Sequence, residues 1–412
     1  MLGLKVNYHG FFDGNFGIAE ATRLNELALL QNHIEVNRIS YQSESYLRTS
    51  DIFPDEDEVK INIFHININT VNAFFEKNNQ LKLQGRYNIL YWAWEFPEVP
   101  EQALKVLNFF DELWVPSDFC VNIFTQYTGI PVLKFPHPIQ KVSFQEIFDR
   151  GGYKRVFLTI FDSFSTTIRK NPHLTIEAFL KVFGEDKEAV LIVKTHNLDR
   201  SKDTQKVLSP YMNLPNVKII NEDFSKEKLH GLIQASDVLI SLHGSEGFGL
   251  TMAEAMAYGK VVVGTGYSGN LEFMNVNNSF LVRYNFIQTH NTKGLIAEGL
   301  TLAQPDVDHA CEQLQYIKSH FGKLSLIQEN AQNDVGKHLS LSTIGTSFKN
   351  RISYISSHLI NQNSQIKESA DQLFYITEIE SLKNRIQYLE RTLYNKVRKK
   401  INTFFLGLRN KK

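Results

Sequence analysis

The sequence predicts an α/β protein with two doubly wound parallel sheets facing each other across a central cleft, followed by a C-terminal helical tail. Three observations predict it. Short apolar runs alternate with amphipathic stretches through the first part of the chain. The alternation pauses over residues 136–152, where Pro136, Pro138, Gly151 and Gly152 cluster, and then restarts. From about Leu339 the pattern turns helical. Alternating β and α units imply parallel strands with helices on both faces. A chain of 412 residues exceeds one ordinary domain and fits two domains plus a tail. The expected boundaries are 1–140 for the first domain, 141–338 for the second, 339–360 for a closing helix and 361–412 for the tail.

Residues 2–7 read as the first strand. Residues 17–30 read as a helix, because Ala21, Leu24, Leu27 and Ala28 recur at helical spacing. Strands are expected at 34–38, 59–64, 88–92, 112–115 and 132–135, with helix-like stretches between several of them. Beyond the linker, strands are expected at 156–160, 189–194, 217–220, 238–242 and 260–263. Helices are expected at 172–183, 226–235 and 250–258. Pro172 suits a first helical turn, and Gly259 suits a left-handed cap. Ligands in open α/β sheets bind at the carboxyl ends of strands, so the cleft is the expected site.

The charge balance of 44 basic and 44 acidic residues argues against a surface devoted to nucleic acid. Hydrophobic content of 42% with 21% charged residues is that of a globular, water-soluble protein. The two cysteines, Cys120 and Cys311, form no CxxC or Cys/His spacing, so no zinc site is expected. They read as reduced, packed thiols of a cytosolic protein. The first residues show no signal peptide, and no window of about 18 apolar residues is present to span a bilayer. In the tail, Ile379, Leu382, Ile386, Leu389 and Leu393 alternate spacings of three and four, which suits self-association through 365–412. Lys396, Arg398, Lys399, Lys400, Arg409, Lys411 and Lys412 interleave with Ile401, Phe404, Phe405 and Leu408. That suits a helix lying on an anionic membrane surface, and equally a solvated terminus.

The most informative stretch is 241–274, SLHGSEGFGLTMAEAMAYGKVVVGTGYSGNLEFM. A strand ends near Leu242, a glycine-containing loop follows, and a helix opens near Leu250. The backbone N–H groups of Gly249, Leu250 and Thr251 then sit at a helix N-terminus, a natural anion site. Gly247 and Gly249 allow close backbone approach to a ligand. Glu246 precedes that site and Glu254 lies just behind it. Two carboxylates beside a phosphate site repel phosphate, but they suit sugar hydroxyls on either side of a diphosphate.

EGFGLTMAEAMAYGKVVVGTG resembles the E-x7-E signature of retaining glycosyltransferases of family 4, which have the GT-B fold of two Rossmann-like domains. The preceding KEKLHGLIQASDVLISLHGS resembles the helix and strand leading into that motif. The resemblance covers roughly residues 1–355. It implies that Glu246 holds the transferred sugar and Glu254 the ribose, with backbone at Phe248, Gly249, Leu250 and Thr251 facing sugar and phosphates. KNP at 170–172 resembles the family's basic position, so Lys170 is the first choice for the diphosphate, with Arg169 beside it and Lys194 as a further choice. The arginine often found about six residues earlier is replaced by Phe164. DGNFGIAEATR at 13–23 resembles the family's glycine-rich loop and makes Gly17 a donor-site candidate.

Where relatives carry a histidine, YWAWEFPEVP places Trp94, next to Glu95. Trp94 reads either as a sugar-stacking surface or as a packed core aromatic. Glu95 reads either as an acceptor-orienting catalytic group or as an ion-pair residue. His137 in FPHPI is a further acceptor-side candidate. Asp55–Asp57 and Asp306–Asp308 match Asp-x-Asp, but neither follows the strand a metal site needs, so no metal and no cofactor are expected. Basic residues and a helix dipole take the cation's place.

The resemblance thus implies a cytoplasmic glycosyltransferase, peripheral at the inner membrane face if the tail binds lipid. It would move a sugar from a nucleotide-sugar donor to a glycan, lipid-linked or protein acceptor with retained configuration. A catalytically silent GT-B subunit that stabilises a partner protein is the alternative.

Overall fold

The computed structural model describes residues 3–40, 59–66, 83, 85–142, 148–289 and 299–360. In chain order its elements are β1 (Lys5–Gly10), α1 (Gly17–Gln31), β2 (Glu35–Ser40), β3 (Ile61–His65), β4 (Tyr87–Tyr91), α2 (Glu101–Leu107), β5 (Glu112–Val115), α3 (Asp118–Phe124) and β6 (Val132–Lys134). Then follow β7 (Arg155–Ile160), α4 (Thr167–Lys170), α5 (Pro172–Phe183), β8 (Ala189–Thr195), α6 (Lys202–Leu208), β9 (Val217–Asn221), α7 (Lys226–Ala235), β10 (Val238–Ser241), α8 (Leu250–Ala257) and β11 (Val261–Thr265). The remainder is β12 (Phe280–Val282), β13 (Tyr284–Thr289), β14 (Leu300–Pro305), α9 (Val307–Ser319), α10 (Ser325–His338) and α11 (Leu341–Tyr354).

Two six-stranded sheets result, ordered β2-β1-β3-β4-β5-β6 and β12-β11-β10-β7-β8-β9. Every pair within them is parallel. Strands such as β3, β4, β5, β8 and β11 are buried along their whole length, as sheets covered on both faces require. The expected α/β fold with two doubly wound sheets is present. Observed strands begin and end within a few residues of those expected. Gly259 has φ +67°, in the left-handed region its cap position demands. Both cysteines are buried and free.

Strand β12 and the antiparallel pair β13–β14 were not anticipated. Asp306 turns out to cap α9, accepting from His309 N at 3.0 Å, and Asp308 pairs with Lys181 at 3.1 Å. Asp55–Asp57 and the tail 361–412 lie outside the described residues.

The closing segment returns to the first sheet. Gly345 on α11 lies so close to α1 that an added Cβ would sit 2.3 Å from Ala28 O. Phe348 stacks on Trp114 at 5.3 Å, with rings 12° from parallel. Arg351 forms a bidentate pair with Glu112, a carboxylate with no solvent exposure that also accepts from Trp114 Nε1 at 2.7 Å. Among the described residues no helix is long and apolar enough to cross a membrane.

Candidate functional site

In both sheets the strand order reverses beside the first strand of that half. β1 sits between β2 and β3, and β7 sits between β10 and β8. Loops leaving the carboxyl ends of strands at such a point diverge and leave a crevice. A cleft of about 530 Å³ opens there and is lined from both halves, within the size range of small-molecule sites. The loop after β1 contributes Gly17, and the end of β3 contributes His65. The loop after β7 leads to Arg169 and Lys170, and the loop after β10 contributes Glu246 and Gly249.

Glu246 is 7% exposed. Lys170 Nζ bonds its Oε1, and Arg169 Nη1 lies 3.2 Å from Oε2. Burial pushes the carboxyl up, but Lys170 and then Arg169 outweigh it and bring it down to about 2. Its own backbone N–H donates to Ser268 Oγ at 2.8 Å, which fixes the loop. Gly247 packs against the backbone of Trp94, where an added Cβ would lie 2.9 Å from Trp94 O. Its carbonyl accepts from Ser117 Oγ at 2.7 Å. Gly249 takes φ +97° as the N-cap of α8, and no side chain caps that end. Leu250 and Thr251 line the cleft with it, and the free N–H end of a helix favours an anion. Phe248 is buried with its ring against His137 and Phe273, so only its backbone is suited to the expected donor contact.

Glu254, one turn into α8, has a different environment. It is 5% exposed, and its nearest titratable partner is His230 Nε2 at 3.7 Å. Burial first, and then Glu20, push its carboxyl up to about 8, with Lys226 opposing. Glu246 and Glu254 are thus held in opposite protonation states at neutral pH. A free glutamate ionises near 4.5, so across pH 4.5 to 8 the unfolded chain releases a proton that the folded chain keeps. Stability contributed by Glu254 is therefore full below pH 4.5 and is lost as pH rises toward 8. Glu254→Gln is expected to remove this loss. Urea denaturation at pH 8 should show the variant more stable than wild type by on the order of 2–4 kcal/mol, with little difference at pH 4.

Lys194 is buried, donates to the carbonyls of Thr195 and Glu222 at 2.9 and 2.7 Å, and lies over the Phe224 ring. Burial lowers its pKa to about 8. It lines the cleft, although two of its three donors already serve backbone. Arg169 is 3% exposed and is held between Glu246 and Glu95 Oε1, 3.0 Å away. Glu95 therefore adopts its ion-pair reading here, joining the first half of the chain to the second. A second such bridge, Lys226–Glu20 at 2.6 Å, crosses elsewhere on the cleft wall.

Trp94 takes the second of its two readings, a packed core aromatic. Its indole is 6% exposed, packs against Trp92 and Phe96, and donates to Glu98 O at 2.9 Å. The cleft is lined by its neighbours Ala93 and Glu95, so Trp94 offers no sugar-stacking face. An amphipathic ring on a strand-end loop finds more stabilisation in the core than in the cleft. His137 does line the cleft, together with His65, which the sequence reading missed. The two rings stack 5.6 Å apart and 10° from parallel. Burial lowers His137 to about 3 and holds His65 well below its ordinary value, so both are neutral. The available signal for His65 was a histidine closing an apolar strand.

Gly17 opens α1 at the cleft, and a Cβ added there would meet nothing within 4 Å. The ligand-free fold does not need this glycine. Gly17→Ala should leave Tm within about 2 °C of wild type but weaken donor binding at least about threefold, as a titration would show.

Residues 159–298 match the family model described as Glycosyl transferases group 1. No curated protein matches the chain. Among solved structures, the chain is similar to the Anabaena protein HepE in complex with UDP-glucose, at 13% identity and TM-score 0.62, covering 85% of this chain and 99% of that one. It is also similar to sucrose-phosphate synthase from Thermosynechococcus elongatus, at 12% identity and TM-score 0.62, covering 86% and 99%. A glycosyltransferase from Rickettsia africae aligns at 14% identity and TM-score 0.60, covering 87% and 100%. The architecture is that of the GT-B glycosyltransferases.

Proposed function

We propose that this chain is a retaining glycosyltransferase of family 4 that moves a sugar from a nucleotide-diphosphate donor to a glycan, lipid-linked or protein acceptor. Residues 141–338 bind the donor and residues 1–140 the acceptor. The observation that carries this reading is the placement of Glu246 and Glu254 on either side of the uncapped N-terminus of α8, inside a cleft walled by both sheets. The group 1 match over 159–298 supports it, as do UDP and UDP-glucose in the Anabaena structures.

In this reading the diphosphate lies at the α8 N-terminus, with Lys170, Arg169 and Lys194 balancing charge as the sugar–phosphate bond breaks. Glu246 accepts hydrogen bonds from the sugar and Glu254 from the ribose. The donor phosphate itself takes the acceptor's proton on the face it leaves, which retains configuration and needs no carboxylate nucleophile. The reaction runs without a bound cation or cofactor. We place the protein in the cytoplasm, with the basic tail against the inner membrane face or pairing with a second copy. Nucleic acid is not a partner.

One observation favours a second reading, a silent subunit that stabilises a partner: Arg169 is engaged by carboxylates on both sides. A thermal-shift panel with UDP-, GDP- and ADP-sugars tests the first reading. Stabilisation of wild type by one class, reduced in Glu246→Ala and Glu254→Ala, supports it. No shift with any nucleotide sinks it. Turnover by the purified chain, with the product's anomeric configuration read by NMR, separates enzyme from silent subunit and retention from inversion.

A further inference from the structure

One backbone position beside the Glu246 loop sits where side chains almost never go. Among the described residues, four other than glycine have positive φ: His33, Asn171, Asn197 and Ser268. Asn171 and Asn197, with ψ 48° and 18°, occupy the ordinary left-handed well, which asparagine tolerates. Ser268 does not. Its φ of 77° with ψ −152° falls in a region left almost wholly to glycine, and such a conformation persists only where its surroundings impose it.

Those surroundings are closely packed on both sides. Tyr267, just before, is set among Phe119, Tyr284 and Phe286, with ring centroids 5.5, 5.1 and 5.2 Å away. Gly269, just after, lies so near the Glu246 loop that an added Cβ would be 2.1 Å from Gly247 O. Asn270 donates to Thr265 O at 2.9 Å. This packing explains why the chain turns here. It does not explain why the turning residue carries a side chain, since glycine makes the same turn without strain.

What serine adds is its hydroxyl. Ser268 is buried, and its Oγ accepts from Glu246 N–H at 2.8 Å. The next N–H, that of Gly269, donates to Glu246 O at 2.8 Å. Consecutive residues thus grip both polar groups of the Glu246 main chain, while Lys170 and Arg169 hold its carboxylate.

We infer that Ser268 is a positioning residue for sugar transfer: its strained backbone is retained because a side chain at that point holds the Glu246 main chain, and through it the carboxylate, in place for the transferred sugar. That role rests on the proposed reading of the cleft, in which Glu246 meets the sugar while the nucleotide lies at the α8 N-terminus and Glu254. Ser268 then serves the sugar end of the donor and not the nucleotide end.

Two substitutions separate strain from function. Ser268→Ala removes the hydroxyl and keeps the strain, whereas Ser268→Gly removes both. The full chain and both variants are compared by thermal melting, by initial rates, and by calorimetric titration with UDP and UDP-glucose, or with the nucleotide and sugar nucleotide that the panel above selects. Ser268→Gly is expected to melt about 2 °C above Ser268→Ala. Both should nevertheless lose at least about tenfold in kcat/KM and about threefold in the ratio of sugar-nucleotide to nucleotide affinity, with nucleotide affinity itself unchanged. A serine with a purely structural role would give the opposite, activity recovered in the relaxed glycine variant. Wild-type rate and ratio in Ser268→Gly overturn the inference, as does an equal fall for nucleotide and sugar nucleotide, or a glycine variant that melts below the alanine one. If wild type binds the sugar nucleotide but transfers nothing, the enzyme reading fails, and the ratio alone decides: a fall in both variants upholds the positioning role and an unchanged ratio overturns it. If wild type binds neither ligand, the donor-site reading falls and the role of Ser268 with it.

Discussion

Glu246→Gln is expected to lower kcat/KM for sugar transfer by at least about a hundredfold, while nucleotide affinity changes little. Glu246 is a buried carboxylate kept ionised by Lys170 and Arg169, so it offers a fixed negative acceptor at the end of the cleft where the sugar would lie. The amide keeps the shape and removes the charge. Lys170 then loses its partner and can move, while Arg169 still holds Glu95. The effect therefore combines a lost contact to the sugar with a cation no longer preset for the leaving diphosphate. Initial rates of transfer or of donor hydrolysis, measured beside calorimetric nucleotide binding, provide the check. A variant with nearly wild-type turnover would remove Glu246 from the reaction.

Arg351→Met is expected to cost about 3–5 kcal/mol of stability, the range for stranding one member of a buried ion pair. Glu112 has no exposure, and the hydrogen bonds from Trp114 and Tyr87 do not replace a full positive charge. The double variant Glu112→Gln/Arg351→Met should recover most of the loss, because no uncompensated charge then remains. Urea denaturation of the wild type, both single variants and the double variant reads this out. An Arg351→Met curve that overlays wild type would show the pair to be superficial.

Much of the second sheet's share of the cleft was legible because its determinants are local. Strand, glycine loop and helix N-terminus follow one another from Val238 to Ala257, and Glu246 and Glu254 lie within that run. The helical spacing of residues 17–30 and the cap at Gly259 are local in the same sense. The contacts between the two halves resisted because their geometry is made by distant approach. Trp94 became core through contacts with Trp92, Phe96 and Cys120. Arg169 became an interdomain tie only once Glu95 stood opposite it. His65 became a cleft residue because β3 pairs beside β1, a neighbour relation that no periodicity along the chain states. The β13–β14 ribbon was missed for a related reason: residues 284–289 are partly exposed and show no strong apolar run.

The pair between Arg351 and Glu112 joins residues 239 positions apart, and α11 covers a sheet whose strands lie at the start of the chain. During synthesis, the ribosome therefore releases the first sheet long before the helix that seals it. Until α11 emerges, Glu112 has no cation and the faces of Trp114 and Phe135 that receive Phe348 have no cover. The second sheet also waits for a late cover, α10, whose Gln332 Nε2 donates to Ala257 O on α8, but that helix leaves the ribosome ahead of α11. A chain truncated before Leu341 should therefore fail in its earliest-made half.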